Sequence, residues 1–332
     1  MLATSFSSFP NSSSVTVILV NWNCGDVFAK CLDYLLSQTL PLNRVIVVDN
    51  DSSDNSLAGI ASQYNVDLIY LDKNYGFAGG NNRALALCET EYVALLNPDA
   101  FAEPDWLEQL MVAAQANPEV AAFASLQLCA ENPLIVDGAG DSYHVSGLVW
   151  RIAHGAGLSE TDLCTKDIFT PCAAAALYRR QALVDVGGFD EDSFCYVEDV
   201  DLGFRLRLAG HRAMLVPDAI VHHVGAASTG GQHSDFCVYH GHRNLVWAFI
   251  KNMPGILFWL LLPLHVLLNI VTIVYFSSIG KGKLILQAKL DALKGIPKMW
   301  QKRKYIQSKR VVSVTDIWQV LDRRLLPLRR KQ

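Results

Sequence analysis

Between Gly187 and Gly210 the chain reads GGFDEDSFCYVEDVDLGFRLRLAG. Asp190, Glu191, Asp192, Glu198, Asp199 and Asp201 crowd this stretch, interleaved with Phe189, Phe194 and Tyr196 and followed at once by Arg205 and Arg207. Acid runs of this kind are ordinarily solvated. Here Val197, Val200, Phe204 and Leu208 recur at three- and four-residue spacing, which predicts a helix. Glu198, Asp199 and Asp201 then sit at its N-terminus, where the backbone dipole favours negative charge. The acids either cap the helix and do nothing more, or are held there for chemistry. The rest of the chain decides between the two.

A second acid stands apart. Asp99 follows the apolar run Tyr92 to Leu96 through Asn97-Pro98. From such a strand end one carboxylate can reach a divalent cation, and Mg²⁺ and Mn²⁺ are usually held by few protein oxygens plus substrate phosphates. Imidazole suits Mn²⁺ too, so His222 or His223 is a candidate second ligand; the alternative is a plain surface pair at a strand end. The glycine-rich GFAGG, Gly76 to Gly80, precedes a helical pattern and offers backbone N–H groups to a ligand. Neither GxGxxG after the first strand nor GxxxxGK[ST] occurs, which argues against a dinucleotide site and a P-loop.

The elements that must position these residues form a regular alternation. Val15 to Val20, Arg44 to Val48, Val66 to Leu71 and Tyr92 to Leu96 are apolar runs of strand length separated by helical patterns. Strands without polar alternation predict a parallel sheet covered on both faces. Ligands of such sheets bind at the carboxyl ends of strands. Those ends carry Asn21/Asn23, Asp49/Asn50, Asn74/Gly76 and Asn97/Asp99, more polar groups than turns alone require. Residues 130 to 168 read as loops or short strands, and Ala213 to Val216 and Ala219 to Val221 as two short strands.

Composition adds a division. The chain has 332 residues, 51 % of them hydrophobic, and a net charge of −4. From Lys281 to Gln332 there are 15 Lys/Arg against 3 Asp/Glu, while the remainder has 13 against 29. Such a basic appendage meets something anionic, nucleic acid or lipid. Just before it, Gly255 to Ile279 is apolar and long enough to span a bilayer, though interrupted by Pro263, His265 and Asn269. The apolar neighbour argues for lipid and against nucleic acid. The eight cysteines are scattered with no CxxC, which fits a reducing compartment and neither a disulfide framework nor a zinc site. Residues 1–14 read as a flexible lead without signal-peptide character.

In order and spacing, the pieces VILVNWN, VIVVDNDSSD, KNYGFAGGNNRAL, ALLNPDA, ALYRRQALVDVGGFDE, FCYVEDVDLGFRLRLAG, PDAIVHH and HRNLVWAFIKNMP resemble the family 2 glycosyltransferases, and most closely their bacterial rhamnosyltransferase-like members. The resemblance implies a GT-A nucleotide-sugar-binding fold, an α/β mixed sheet flanked by helices, over residues 15–253; the apolar run and basic tail of residues 254–332 are expected to form a membrane-associating helical appendage. The resemblance also implies an inverting transfer from a nucleoside-diphosphate sugar, rhamnose from dTDP-rhamnose in the first instance, to a lipid-linked or growing glycan at the cytoplasmic face of the cell membrane. A UDP-hexose donor and a catalytically silent glycan- or nucleotide-sugar-binding protein are the alternatives.

Residue by residue, the resemblance makes Asn21, Asp49, Asn74, Gly76, Asn81 and Asn82 nucleotide-binding. Asp99 matches the last acid of the metal motif, whose first carboxylate is replaced here by Asn97. His222, with His223 as the alternative, matches the late metal-binding histidine, so Mg²⁺ or Mn²⁺ is the expected cofactor. Asp199 becomes the catalytic base. Glu198, Asp201 and Arg205 are expected to support the acceptor side. The catalytic domain and the basic tail must lie on one side of the membrane, so residues 255–279 are expected to lie in the membrane plane or re-enter it, with the Lys/Arg side chains on anionic headgroups.

Overall fold

The computed structural model of the chain describes residues 14–161, 163–225 and 234–324. The expected flexible lead and the last basic residues therefore lie outside the described residues, apart from Ser14.

Four strands, β1 (Val15–Asn21), β2 (Arg44–Asp49), β3 (Asp67–Tyr70) and β4 (Tyr92–Leu96), alternate with helices α1 (Val27–Leu36), the single-turn α2 (Ile60–Gln63) and α3 (Gly76–Leu85). The four strands are parallel, as their apolar runs without polar alternation predict, and β3 at the sheet edge is the least buried of them. Val15, Val17 and Leu19 of β1 pack into one core and Ile18 and Val20 into another, so period-2 alternation fills both faces.

The rest of the sheet is built from β5 (Ala100–Ala102), β6 (Val120–Cys129), β7 (Val136–Gly138) and β8 (Asp141–Tyr143), then β9 (Val149–Arg151), β10 (Lys166–Ile168), β11 (Ala175–Arg179) and β12 (Arg212–His223). The order is β10-β12-β6-β11-β4-β1-β2-β3, with β5 on β12, β7 on β6, and β8–β9 as a separate hairpin. β11 runs antiparallel to both β4 and β6, whereas β12 is parallel to β6. The sheet is therefore mixed, and β12 ends at the same edge as β1, β2 and β4. The two short strands expected at 213–221 are one strand, whose register shifts between Val216 and Ile220, where Pro217 cannot donate to the ladder.

Helices α4 (Trp106–Ala116), α5 (Arg180–Asp185) and α6 (Glu198–Leu208) complete the sheet layers, and α7 (Asp235–Asn252), α8 (Gly255–Ser278), α9 (Gly282–Lys294), α10 (Ile296–Ser308) and α11 (Val314–Val320) follow. The last five do not form a detached unit. Phe204 and Leu208 of α6 share a core with Phe249, Phe258, Met299 and Ile317.

Among the described residues, α8 alone is long and apolar enough to cross a membrane, with a mean hydropathy of 2.3. It lies along the protein. Leu257, Phe258, Leu261 and His265 are buried at its start and Phe276 at its end, where the Phe276 ring meets His242 of α7. Its outer face leaves Ile256, Leu260, Leu267, Ile270, Val271 and Val274 exposed.

Candidate active site

The carboxyl ends of β1, β4 and β12, the turn after β2 and the N-termini of α3 and α6 enclose a cleft of about 660 Å³, within the usual range for small-molecule sites. Three corners of it are distinct.

At the first corner, Asn50 is buried and binds three ways. Its Nδ2 donates to Asn74 Oδ1 (2.9 Å) and to the Gly76 carbonyl (3.0 Å), and its Oδ1 accepts from the Tyr75 N–H (2.8 Å). Asn74 Oδ1 also accepts from the Gly76 N–H at 2.7 Å. Gly76 opens α3 at φ +72°, and a Cβ there would lie 2.2 Å from the Phe194 carbonyl oxygen. Only glycine lets the two segments touch in this way. Asn50, Asn74 and Gly76 all line the cleft.

The other expected nucleotide residues turn toward the protein. Asn21 donates to Ser52 Oγ and Ser56 Oγ, and Asp49 accepts from the Ser52 N–H, so both hold the turn after β2. Asn81 donates back to the Phe77 carbonyl. Asn82 clamps the Gly187–Phe189 turn, accepting from the Phe189 N–H and donating to the Phe189 carbonyl.

At the second corner, β5 pairs with the end of β12 and sets His223 opposite Ala100. Asp99 is thereby brought to His223, with Oδ1 at 3.3 Å from Nε2, while Asp137 Oδ2 meets His223 Nδ1 at 2.8 Å. Successive strand residues face opposite ways, so His222 points elsewhere, to Glu103 at 2.6 Å. Of the two histidines it is the alternative, His223, that lines the cleft beside Asp99. Burial opposes a charge on His223, but Asp137 and Asp99 outweigh it and raise its pKa to about 9. A carboxylate and an imidazole whose other nitrogen is held by a carboxylate form a donor set that fits Mn²⁺ or Mg²⁺.

The third corner is the start of α6. Asp199 lines the cleft, its Oδ1 accepting from the Val200 N–H (2.8 Å) and its Oδ2 from the Ala173 N–H (3.2 Å). Burial pushes its carboxyl up against those two donors. Glu198 also lines the cleft but is buried, with Oε2 lacking a partner among the described residues. Burial, then Asp199, drive its pKa well up, so Glu198 is held neutral.

The approach to α6 is strained. Phe194, Tyr196 and Val197 all have positive φ, at 63°, 66° and 69°, a cost of roughly 1–3 kcal/mol each. They are held in place from outside. Asn244 of α7 donates through Nδ2 to the carbonyls of Ser193 (2.7 Å), Cys195 (3.0 Å) and Tyr196 (2.7 Å). Arg243 donates to the carbonyls of Asp192 and Ser193, and the Ala78 N–H of α3 donates to the Phe194 carbonyl. The loop thus ties the glycine corner to the base corner.

Asp201 and Arg205 lie on the other side of α6, because residues two apart on a helix point about 200° from each other. Asp201 bonds Arg205 Nε (2.9 Å), Lys251 Nζ (2.8 Å) and Asn252 Nδ2 (2.7 Å). Lys251 also pairs with Asp190, to which Lys302 of α10 adds a second ammonium, and Lys298 binds Asp192 at 2.6 Å. Part of the basic appendage therefore neutralises the chain's own acid run. Arg207 donates to the carbonyls of Ile168 and Phe169.

Four cleft residues had no sequence signal strong enough to find them: Asp137, Asp141, Arg151 and His154. Arg151 binds Asp137 Oδ2 at 2.6 Å, and His154 binds the Asp137 carbonyl at 2.7 Å. Asp141, Cys172 and Asp199 bring their side-chain heteroatoms within 4.8 Å of one another. Two acids bracketing glycine in DGAGD, followed by RIAH, were the available hint.

Residues 16–187 match the sequence pattern described as Glycosyl transferase family 2. An N-acetylglucosaminyl-diphospho-decaprenol L-rhamnosyltransferase of Mycobacterium tuberculosis is 30 % identical over 246 residues, 64 % of this chain and 77 % of the relative. The O-antigen chain rhamnosyltransferase RfbN of Salmonella typhimurium is 27 % identical over 214 residues, 63 % of this chain and 66 % of the relative. Among solved structures, the mannosyltransferase PcManGT of Pyrobaculum calidifontis, in complex with GDP-Man and Mn²⁺, aligns with TM-score 0.53 at 18 % identity over 92 % of this chain and 87 % of that one. GalNAc-T7 with UDP, GalNAc and Mn²⁺ aligns with TM-score 0.59 at 13 % identity over 73 % of this chain and 48 % of that one. The likeness to these GT-A enzymes is one of fold. The chain belongs to glycosyl transferase family 2.

Proposed function

We propose that the chain is an inverting, metal-dependent glycosyltransferase that moves rhamnose from dTDP-rhamnose onto a lipid-linked or growing cell-surface glycan. The observation that carries this reading is the meeting of Asp99, His223 and Asp199 in one cleft that also holds Asn74 and Gly76. Asp199 takes the proton of the acceptor hydroxyl, and its carboxyl, pushed up by burial, suits a general base. Asp99 and His223 are the residues to hold Mn²⁺ or Mg²⁺, which when bound stabilises the departing diphosphate. Asn50, Asn74 and Gly76 face the nucleoside, with Asn21, Asp49, Asn81 and Asn82 as the frame behind them. Glu198, Asp201 and Arg205 support the acceptor side by fixing α6. Rhamnose as the sugar follows the names of the relatives.

The same proposal places the enzyme on the cytoplasmic face of the cell membrane, as an in-plane protein. Both ends of α8 are buried against the protein, and α9 returns along α8 to bury Ile285 beside Val238 of α7 and Phe276 of α8. The outward row of α8 is continued by Leu286, Leu290 and Leu293 of α9, the pattern of an interfacial helix pair.

A donor panel tests the reading. With Mn²⁺ and a lipid-linked glycan fraction, nucleoside diphosphate release is expected from dTDP-rhamnose. Preferential turnover of a UDP-hexose would replace the donor. Absence of turnover with every donor, despite nucleotide binding, would replace the enzyme by a binding protein.

A further inference from the structure

The hairpin β8–β9 lines the cleft, and Asp141 on it has no part in the chemistry described so far. In its register Asp141 pairs with Arg151 and Ser142 with Trp150. Asp141, Trp150 and Arg151 all reach the cleft. Asp141 is 4 % exposed, yet its carboxylate has no hydrogen-bond partner among the described residues. Its one close cation, Arg151, spends its hydrogen bond on Asp137. A buried carboxylate without a partner is costly, and this one lies with Asp199 in a group whose heteroatoms are all within 4.8 Å.

We propose that the β8–β9 hairpin is part of the acceptor-sugar subsite, in which Asp141 binds the hydroxyl next to the one that Asp199 deprotonates. The proposal rests on the reading of Asp199 as base. A pair of carboxyl groups this close suits two neighbouring hydroxyls of one ring, one for each. Burial, then the charge of Asp199, push Asp141 well above the usual carboxylate range, so it carries a proton and can both donate to and accept from a hydroxyl. Asp141 is then a specificity-determining residue, distinct from the base.

The test uses the full chain with Mn²⁺, the donor turned over in the panel, and two acceptors: water, read as donor hydrolysis, and a set of octyl glycosides differing at single hydroxyls. Asp141→Ala should lower transfer to the preferred octyl glycoside by about ten- to a hundredfold and raise its KM, and Asp141→Asn, which keeps a neutral donor and acceptor, should restore most of it. Donor hydrolysis and nucleoside diphosphate affinity should stay at the parent values. Parent-like transfer and acceptor KM in Asp141→Ala would overturn the proposal. So would a parallel loss of hydrolysis, nucleotide binding and transfer in both Asp141→Ala and Asp141→Asn, which would make the residue structural. Failure of the base itself reads differently: Asp199→Asn would then retain transfer, whatever Asp141→Ala does.

Discussion

The loop before Asp199 should relax when Asn244 is lost. Asn244 is 1 % exposed and offers two amide hydrogens to three carbonyls, those of Ser193, Cys195 and Tyr196. Asn244→Ala removes two donor hydrogens worth about 1 kcal/mol each, or about 2 kcal/mol in all. The residues they hold, Phe194, Tyr196 and Val197, sit at positive φ and gain by leaving it. A change of about 2 kcal/mol lowers the ratio of poised to relaxed loop by roughly 30-fold. Because three positive-φ residues bring the two forms close in energy, kcat should fall by up to about that factor, while nucleoside diphosphate affinity, set mainly by Asn50, Asn74 and Gly76, changes little. Asn244→Asp keeps the shape but has no donor and sets a carboxylate against carbonyls, so it should fall at least as far. The assay is diphosphate release at saturating donor and acceptor, beside calorimetric nucleotide binding. A kcat within twofold of the parent for both variants would refute the claim that Asn244 holds the base in place.

Three further outcomes follow from the same contacts. Lys251→Met strands Asp190 and Asp201 without their shared ammonium, and removing one partner of a buried pair costs about 3–5 kcal/mol. Against the upward pull of burial, Lys251 and its neighbours hold both acids below the usual carboxylate range, so their stabilisation is present above about pH 4 and lost as pH falls through the folded pKa. Denaturant melts should show a less stable variant at pH 7 with a shallower acid slope. At the second corner, Asp99→Ala and His223→Ala should each weaken Mn²⁺ binding in the presence of nucleoside diphosphate by about tenfold or more, read by electron spin resonance, and His222→Ala should not. On α8, Leu260→Asp with Val274→Asp should abolish sedimentation with anionic vesicles while changing stability by about 0.5 kcal/mol or less per site, since both residues are exposed.

How much of this was legible in the sequence depends on the length of the signal. The four parallel strands were readable because each is a long apolar run whose end must be polar, and Asn74, Gly76 and Asp99 fall at those ends. The helix from Glu198 was readable from the spacing of Val200, Phe204 and Leu208. The side of that helix was not. Asp199 and Asp201 differ by about 200° around the axis, and only the position of Lys251 and Asn252 on α7 shows which acid turns inward. The choice between His222 and His223 likewise depends on which face of β12 meets the cleft, which adjacent residues in a strand cannot reveal. Asp137, Asp141 and Arg151 sit on three-residue strands, too short for any periodicity to show. The basic appendage was read as a partner for lipid, but the acid run it neutralises lies about a hundred residues away in sequence, as Lys298 and Asp192 do.

The most direct test of the account is Asp199→Asn in the full chain with Mn²⁺ and the preferred donor. The substitution keeps the shape at the start of α6 and removes the carboxylate. The account predicts that nucleoside diphosphate still binds with parent affinity and that sugar transfer falls by about 10²-fold or more. Transfer at a rate near the parent's would contradict it and return Asp199 to the role of a helix cap.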